Sequence, residues 1–332
     1  MLQALHHLTP LRSGIAAAGQ SARHPVTQTL AGLFEALGGG DAAGANREVK
    51  RLQSTLCDGL FNTAEQQDAQ EFLRMLLGAV HEETNRVKKP SVFKSCNSHM
   101  DLGKVLQYHG AWRQDQLLKE DSLVNALLEG ELLFNVKCLN CLQDSYGLER
   151  FGEMPLNLNR EVSMPNFDRR VMVSFEKLVA GYFRQESIDD FRCGKCGQMG
   201  ETAREHTILK FPRILVVLIK RFIYFPKMQK LSNRVLFASA RLDLAPYAFK
   251  PHAQPRGPAW PGPAGSGRYR LKAFITHAGD ISFGHYVAFC AREDEQRWVM
   301  FNDDQTKELD VKSVLSEHCP DAYVLFYQSE DA

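Results

Sequence analysis

Gly284-His285-Tyr286-Val287-Ala288-Phe289, followed by Trp298-Val299-Met300-Phe301-Asn302-Asp303-Asp304, is where the fold and chemistry of this chain are most legible. Both runs are rich in β-branched and aromatic residues and read as strands. His285 opens the first run, just after the polar, glycine-containing turn Gly279 to Phe283; Asn302 and Asp303 close the second. Pairing the two runs antiparallel brings a general base and an orienting side chain together. A histidine at the mouth of a turn can reach a cleft. Asn302 or Asp303 can then bind the imidazole nitrogen that faces away, fixing tautomer and orientation as in nucleophile/base/orienter triads. An isolated histidine in a hairpin is ordinarily a surface feature, and His277 is read as a packing or hydrogen-bonding residue.

Outward from this ribbon, β signals dominate from Glu205 on: His206 to Phe222, Arg268 to His277, His285 to Arg292, Arg297 to Asn302 and Ala322 to Gln328. The apolar run Ile214 to Ile219 is too short to span a bilayer and reads as a buried strand. The first part of the chain is helical. Leu2, Leu5 and Leu8 share a face that stops at Thr9-Pro10. Val26 to Leu37, ended by Gly38-Gly39-Gly40, and about Arg47 to Leu56 follow. Thr63 and Gln66 read as a capping box before a helix whose apolar face is Ala69, Phe72, Leu73, Leu76, Leu77 and Val80. A short helix fits Leu123 to Leu128. Pro251 to Gly267, with five prolines and four glycines, reads as an exposed, poorly ordered loop within the sheet region. Helices first and strands later make an α+β chain.

At 332 residues, length alone leaves open one lobed α+β domain or two domains. The 44% hydrophobic and 24% charged fractions suit a sizeable core, and the net charge of +1 carries no basic stripe of the kind nucleic acid needs. No secretory signal or membrane span is apparent. The eight cysteines include two C-x-x-C pairs, Cys138/Cys141 and Cys193/Cys196. Without a signal peptide such spacing favours metal over disulfides, and a reducing compartment, cytosol or nucleus, follows. Each C-x-x-C turn lets both sulfurs reach one ion at ~2.3 Å, so the four thiolates suit a tetrahedral, structural zinc with no open position for catalysis. Cys57, Cys96, Cys290 and Cys319 read as buried or half-buried apolar residues.

Together these residues resemble the catalytic domain of the ubiquitin-specific proteases, papain-like cysteine peptidases that cleave ubiquitin or related modifiers from proteins. Gln66-Gln67-Asp68-Ala69-Gln70-Glu71-Phe72-Leu73 is similar to the family's glutamine/aspartate box, with Gln70 where a histidine is more usual. Leu215 to Phe222 resembles the strand ending in Lys-Arg-Phe, with Ile219 where a histidine commonly stands. Leu242 to Tyr247 resembles the leucine/aspartate/proline/tyrosine turn, and Gly284 to Asp304 the histidine box.

The resemblance implies a single domain over 1–330. Its parts would be a helical thumb over about 1–121, zinc-ribbon fingers over about 122–215, and an antiparallel β palm over about 216–330 interrupted by the insertion 251–267. It implies His285 as general base, Asn302 as its orienter, and Asp303 as an aid at the oxyanion or in polarising the cleft. Gln67, Asp68 and Tyr286 would contact the modifier, Asp68 pairing with its basic C-terminal tail. Cys138, Cys141, Cys193 and Cys196 would hold the zinc of the fingers, and Phe225 to Leu231 with Asp280 to Phe283 would gate the tail channel. The expected partners are ubiquitin or a ubiquitin-like modifier and ubiquitinated proteins, with no nucleic acid or membrane. One departure concerns the nucleophile. Leu2-Gln3-Ala4-Leu5 matches the end of the helix that follows the family's Asn-Thr-Cys, so the cysteine would fall roughly five positions before Met1. The expectation is a thiol-dependent isopeptide hydrolase whose nucleophile lies outside these residues, or a pseudoprotease that binds the modifier without cutting. A zinc-ribbon interaction protein unrelated to ubiquitin is the remote third reading.

Overall fold

Ile214 to Ile219 is apolar at every position because both faces of its sheet are covered. Ile214, Val216 and Leu218 pack on the N-terminal helices with Ala273, Ile275, Ala288 and Phe326. Leu215, Val217 and Ile219 face the opposite layer with Phe274, Phe289, Trp298 and Tyr327. The period-2 alternation of a strand thus sorts one run of sequence into two cores.

The computed structural model describes residues 1–56, 67–89, 100–160, 171–224, 228–251, 262–280 and 283–331. Helices α1 to α8 span Leu2–His6, Thr9–Ala18, Pro25–Gly39, Ala42–Leu56, Ala69–Thr84, Leu102–Leu117, Leu123–Leu128 and Phe175–Tyr182. Strands β1 to β8 span Gly130–Cys138, Asp144–Phe151, Glu153–Leu156, Val173–Ser174, Glu186–Arg192, Met199–Lys210, Ile214–Ile219 and Phe222–Tyr224. Strands β9 to β16 span Met228–Lys230, Val235–Leu236, Arg241–Asp243, Arg268–Gly279, Gly284–Ala291, Arg297–Asn302, Gln305–Asp310 and Ala322–Ser329.

The central sheet runs β15-β14-β13-β12-β16-β7-β3, with β11 also on β12. A separate sheet, β2-β1-β6-β5, is two hairpins joined through the antiparallel β1–β6 pair. Small pairs β4–β10 and β8–β9 complete the topology.

Several expectations are revised by this architecture. The first helix ends at His6, before Leu8, and Thr9-Pro10 does not stop a helix but opens α2, where the missing N–H of Pro10 in the first turn costs nothing. The long β reading from His206 to Phe222 divides into β6, β7 and β8. Helix α6 escaped the periodic reading because only Val105, Leu106 and His109 of its 16 residues are buried. Strand β15 escaped because it is an almost wholly exposed edge. Thr63 and Gln66 lie outside the described residues; Asp68 caps α5, accepting from the backbone N–H groups of Gln70 and Glu71. Most of 251–267 also lies outside them, but its end is tied rather than loose. The Ala264 N–H donates to the Leu209 carbonyl and the Phe211 N–H to that of Ala264, both at about 3 Å.

Two polar links bind the layers. Glu83 of α5 accepts from the N–H groups of Val26 and Thr27 and from the Thr27 hydroxyl, so one carboxylate serves the N-terminus of α3. Glu131 of β1 meets His109 at 2.7 Å and Arg113 at 3.0 Å, fastening α6 to the second sheet.

Candidate active site and zinc ribbon

β13 and β14 pair antiparallel, with Ala288 opposite Phe301. The register brings His285, near the start of one strand, to Asn302, at the end of the other. His285 Nε2 lies 2.5 Å from Asn302 Oδ1. With that oxygen as acceptor, Nε2 carries the hydrogen and the lone pair sits on Nδ1, which makes no hydrogen bond among the described residues. The imidazole is half-exposed, at 45% for its side chain. A base nitrogen is therefore held open while its partner nitrogen is anchored.

Asn302 pairs with Gln305, leaving Asp303-Asp304 as a two-residue loop in which Asp303 adopts φ +52. Aspartate tolerates that left-handed region better than most residues. The Asp303 carboxylate lies 3.8 Å from His285 Nε2 and is 78% exposed, so its effect on the imidazole is screened. Gly284 is required where it stands: a Cβ there would strike the His277 ring and come within 2.6 Å of the Ala278 carbonyl. His277 is a packing residue, its ring lying against Phe222 and Tyr286, with centroids 5.7 and 4.6 Å away.

Behind Gly284 a cavity of about 840 Å³ opens between α5 and the central sheet, lined among others by Gln67, Asp68, Tyr286 and Tyr323. The Asp68 carboxylate is heavily used. It accepts from the N–H groups of Gln70 at 2.8 Å and Glu71 at 3.1 Å, from the Tyr323 hydroxyl at 2.9 Å and from the Tyr286 hydroxyl at 3.4 Å. Burial and the Asp68 charge push the Tyr286 phenol up to about 12, so it stays a donor at neutral pH. Burial raises Tyr323 further, again with Asp68 contributing.

Two cationic residues whose contacts the sequence did not disclose hold this end of the sheet. Arg221, after β7, is 2% exposed and donates to the carbonyls of Ala322, Leu231, Asn233 and Pro320 at 2.7, 3.2, 2.8 and 2.8 Å. Burial lowers it to about 10. Lys230 of β9 donates to the carbonyls of His277 and Gly279 at 2.6 and 2.9 Å, gripping the strand end that leads to His285. The Lys-Arg-Phe motif marked Arg221 as notable, but a carbonyl cage leaves no sequence periodicity. Tyr323 was hidden in the apolar run of β16.

The tips of the second sheet bring Cys138, Cys141, Cys193 and Cys196 together, with all four sulfurs within 4.8 Å of one another. Cys138–Cys196 and Cys141–Cys193 sulfurs are 4.0 and 3.7 Å apart. Four thiolates at ~2.3 Å from one tetrahedral zinc would sit about 3.8 Å apart, so the cluster fits the ion. The two knuckles have the same construction. The Leu142 N–H donates to the Cys138 carbonyl at 2.8 Å and the Gly197 N–H to that of Cys193 at 2.9 Å, with φ of +59 and +70. Backbone N–H groups of Cys196 and Lys195 aim at the Cys193 sulfur and lower its thiol, while the Cys141 thiol in the same cluster is raised. Cys290 and Cys319 are fully buried. Burial pushes the Cys290 thiol up to about 12 and that of Cys319 well above its ordinary value, so neither offers a thiolate. Cys57 and Cys96 lie outside the described residues.

A histidine with one nitrogen anchored by asparagine, beside a cavity between a helical layer and a sheet, is the arrangement of a papain-like peptidase. The family profile described as "Ubiquitin carboxyl-terminal hydrolase" matches residues 1–327, and the chain belongs to that family, as a ubiquitin-specific protease. It is 31% identical over 272 residues to "Ubiquitin carboxyl-terminal hydrolase 2" of Gallus gallus, covering 79% of this chain and 68% of the relative. To "Ubiquitin carboxyl-terminal hydrolase Usp2" of Drosophila melanogaster it is 29% identical over 289 residues, 85% of this chain but 27% of that protein. The chain thus spans from about a quarter to two thirds of these relatives. Its fold is similar to a chain of "Structure of the SAGA Ubp8/Sgf11/Sus1/Sgf73 DUB module bound to ubiquitin aldehyde", with a TM-score of 0.69, 21% identity, and 99% of this chain and 66% of that one covered.

Proposed function

We propose that this chain binds ubiquitin through a channel that delivers the modifier's C-terminal tail to His285, and that the site is built for thiol-dependent cleavage of the bond at that terminus. The observation that carries the reading is the open Nδ1 of His285, its other nitrogen bonded to Asn302, on a residue whose neighbours Gly284 and Tyr286 both line the cavity. In this reading His285 is the general base and Asn302 its orienter. Asp303 adds a screened negative charge, and Gln67, Asp68 and Tyr286 wall the tail channel. The helices form the thumb, the β2-β1-β6-β5 sheet the fingers that hold the ubiquitin body, and the central sheet the palm. The presence of ubiquitin aldehyde in the Ubp8 complex supports ubiquitin as the partner. A related ubiquitin-like modifier is the alternative, and the reduced thiols of the ribbon fit cytosol or nucleus.

Catalysis further requires a thiolate facing Nδ1. Among the described residues the cysteines outside the ribbon are Cys290 and Cys319, both fully buried. Cleavage therefore depends on a thiol other than these two. Calorimetric titration with ubiquitin and with ubiquitin shortened at its C-terminus is the test. Saturable binding that the shortened form loses is expected, with no covalent adduct to a C-terminally electrophilic ubiquitin. Equal binding of both forms would refute the channel, and an adduct would place a competent cysteine within the chain.

A further inference from the structure

His285 owes its place to the end of β12. The β13–β14 ladder begins at Ala288–Phe301, so among the described residues His285 to Val287 have no partner on β14. Their backbone neighbour is β12, where Ala278 stands opposite His285 and Gly279 opposite Gly284. That stretch of β12 is itself an edge. Its pairing with β16 stops at Thr276–Ala322, whereas its pairing with β13 runs on to Gly279. A strand end supported on one side, with open carbonyls on the other, frays unless something else takes them.

Lys230 stands where β16 would continue. His277 and Gly279 are two residues apart, so their carbonyls point to the same side of the strand. The Lys230 ammonium donates to both, at 2.6 and 2.9 Å, and so brackets Ala278, the partner of His285. Each such bond is charge-assisted and stronger than a neutral one. The lysine's own backbone is fixed before the side chain reaches across. Lys230 pairs with Phe222 in the β8–β9 hairpin. The next residue, Leu231, is buried; its N–H donates to the Arg221 carbonyl at 2.6 Å and its carbonyl accepts from the Arg221 guanidinium at 3.2 Å. A buried cage holds one end of the link, and the edge of β12 hangs on the other.

Resting on the reading of His285 as the base, we propose that Lys230 is a positioning residue for that base. Its ammonium replaces the missing strand beside β12 and so keeps the His285 ring in register with Asn302, to which only a side-chain bond joins it among the described residues. Without that ammonium the strand end shifts and the bond from Nε2 to Asn302 opens. The neutral ring then also populates the tautomer with its hydrogen on Nδ1, a form that cannot accept a proton from a thiol on that side.

The test is nitrogen-15 spectroscopy of the free protein with labelled histidine, on wild type, Lys230→Met, Lys230→Arg and Lys307→Met. Lys230→Met keeps most of the side chain's length and removes its donors. With two charge-assisted bonds lost, it should raise the Nδ1–H share of the neutral His285 ring about tenfold. Amide hydrogen exchange from Gly284 to Tyr286 should quicken by a similar factor. Lys230→Arg keeps N–H donors and should return both readouts to within about threefold of wild type. Lys307→Met, on the exposed β15, removes one positive charge from the same sheet and should change neither. An unchanged ring signal from His109, held by Glu131, reports an intact fold. The proposal is overturned if Lys230→Met leaves both readouts within about twofold of wild type, or if Lys307→Met moves them as far. Should Lys230→Met fail to fold, the wild-type ammonium decides: slow hydrogen exchange at Lys230 Nζ is expected, and exchange as fast as at Lys307 overturns the proposal. No measurement here uses ubiquitin, so failure leaves the channel reading standing. A wild type that binds no ubiquitin refutes that reading and leaves the hold of Lys230 on β12 intact.

Discussion

Replacing Arg221 with methionine should loosen the molecule at the point where the central sheet meets the channel. The guanidinium donates to four backbone carbonyls, two beyond β9 and two at the entry to β16. Stranding buried acceptors costs about 1–3 kcal/mol each, so four set a gross loss of about 8 kcal/mol. Against this, methionine relieves the cost of burying the cation. The fall in its pKa from 12.5 to about 10 corresponds to about 3 kcal/mol. Water reaching part of the cage trims the loss further, leaving a net destabilisation of about 4 kcal/mol. With an unfolding entropy of about 2.1 cal/mol/K per residue, that is a fall in Tm of roughly 6 °C for a chain of 332 residues. Differential scanning calorimetry measures it. Ala322 adjoins Tyr323, whose hydroxyl bonds Asp68, so the variant should also bind ubiquitin less tightly. A Tm within 1 °C of wild type would refute the cage as a pin.

Other outcomes follow from the same geometry. Chelation of zinc, or Cys193→Ser, should lower the melting temperature and ubiquitin affinity together; metal analysis of the intact protein should find one zinc per chain, and no change on chelation would count against a structural ion. Tyr323→Phe removes a hydroxyl donor to Asp68 and should cost about 1.5–3 kcal/mol, read from urea unfolding, with an unchanged midpoint contradicting the clamp. His6 is buried against Phe34, and burial, with His7 and Arg12 adding, lowers it to about 4 from 6.5. The unfolded chain therefore binds the extra proton first, so stability should fall as pH drops from about 6.5 to about 4. His6→Phe should flatten that slope in urea midpoints, and an identical slope would show the fall arises elsewhere. Asn302→Ala should free His285 Nε2, visible as a mixture of ring tautomers in nitrogen-15 spectra; an unmixed Nε2–H form would show another anchor.

Elements whose chemistry is local were legible in the sequence. The β14 boundaries coincide with those read from Arg297 to Asn302, because period-2 packing and the Asp303-Asp304 turn both act within a few residues. The same holds for the C-x-x-C pairs, where one turn places both sulfurs. Helices α6 and α8 were not read. α6 buries little, and the eight residues of α8 are a short run whose apolar face appears only against the far side of the sheet. At the site, His285 and Asn302 were readable as a pair because hairpin register joins them. Asp68 was readable as important but not as saturated, since its partners Tyr286 and Tyr323 lie 218 and 255 positions away. The Gln70–Glu153 contact depends likewise on how α5 rests against β3.

The most direct measurement of the central claim uses ubiquitin carrying a nitroxide at its C-terminus, bound to protein with isotope-labelled histidine. Paramagnetic broadening falls steeply with distance and so reports where the tail ends. The His285 ring signal should broaden beyond detection, while that of His109, enclosed between α6 and β1, stays sharp. Binding that leaves His285 sharp would contradict the channel and the function proposed for it.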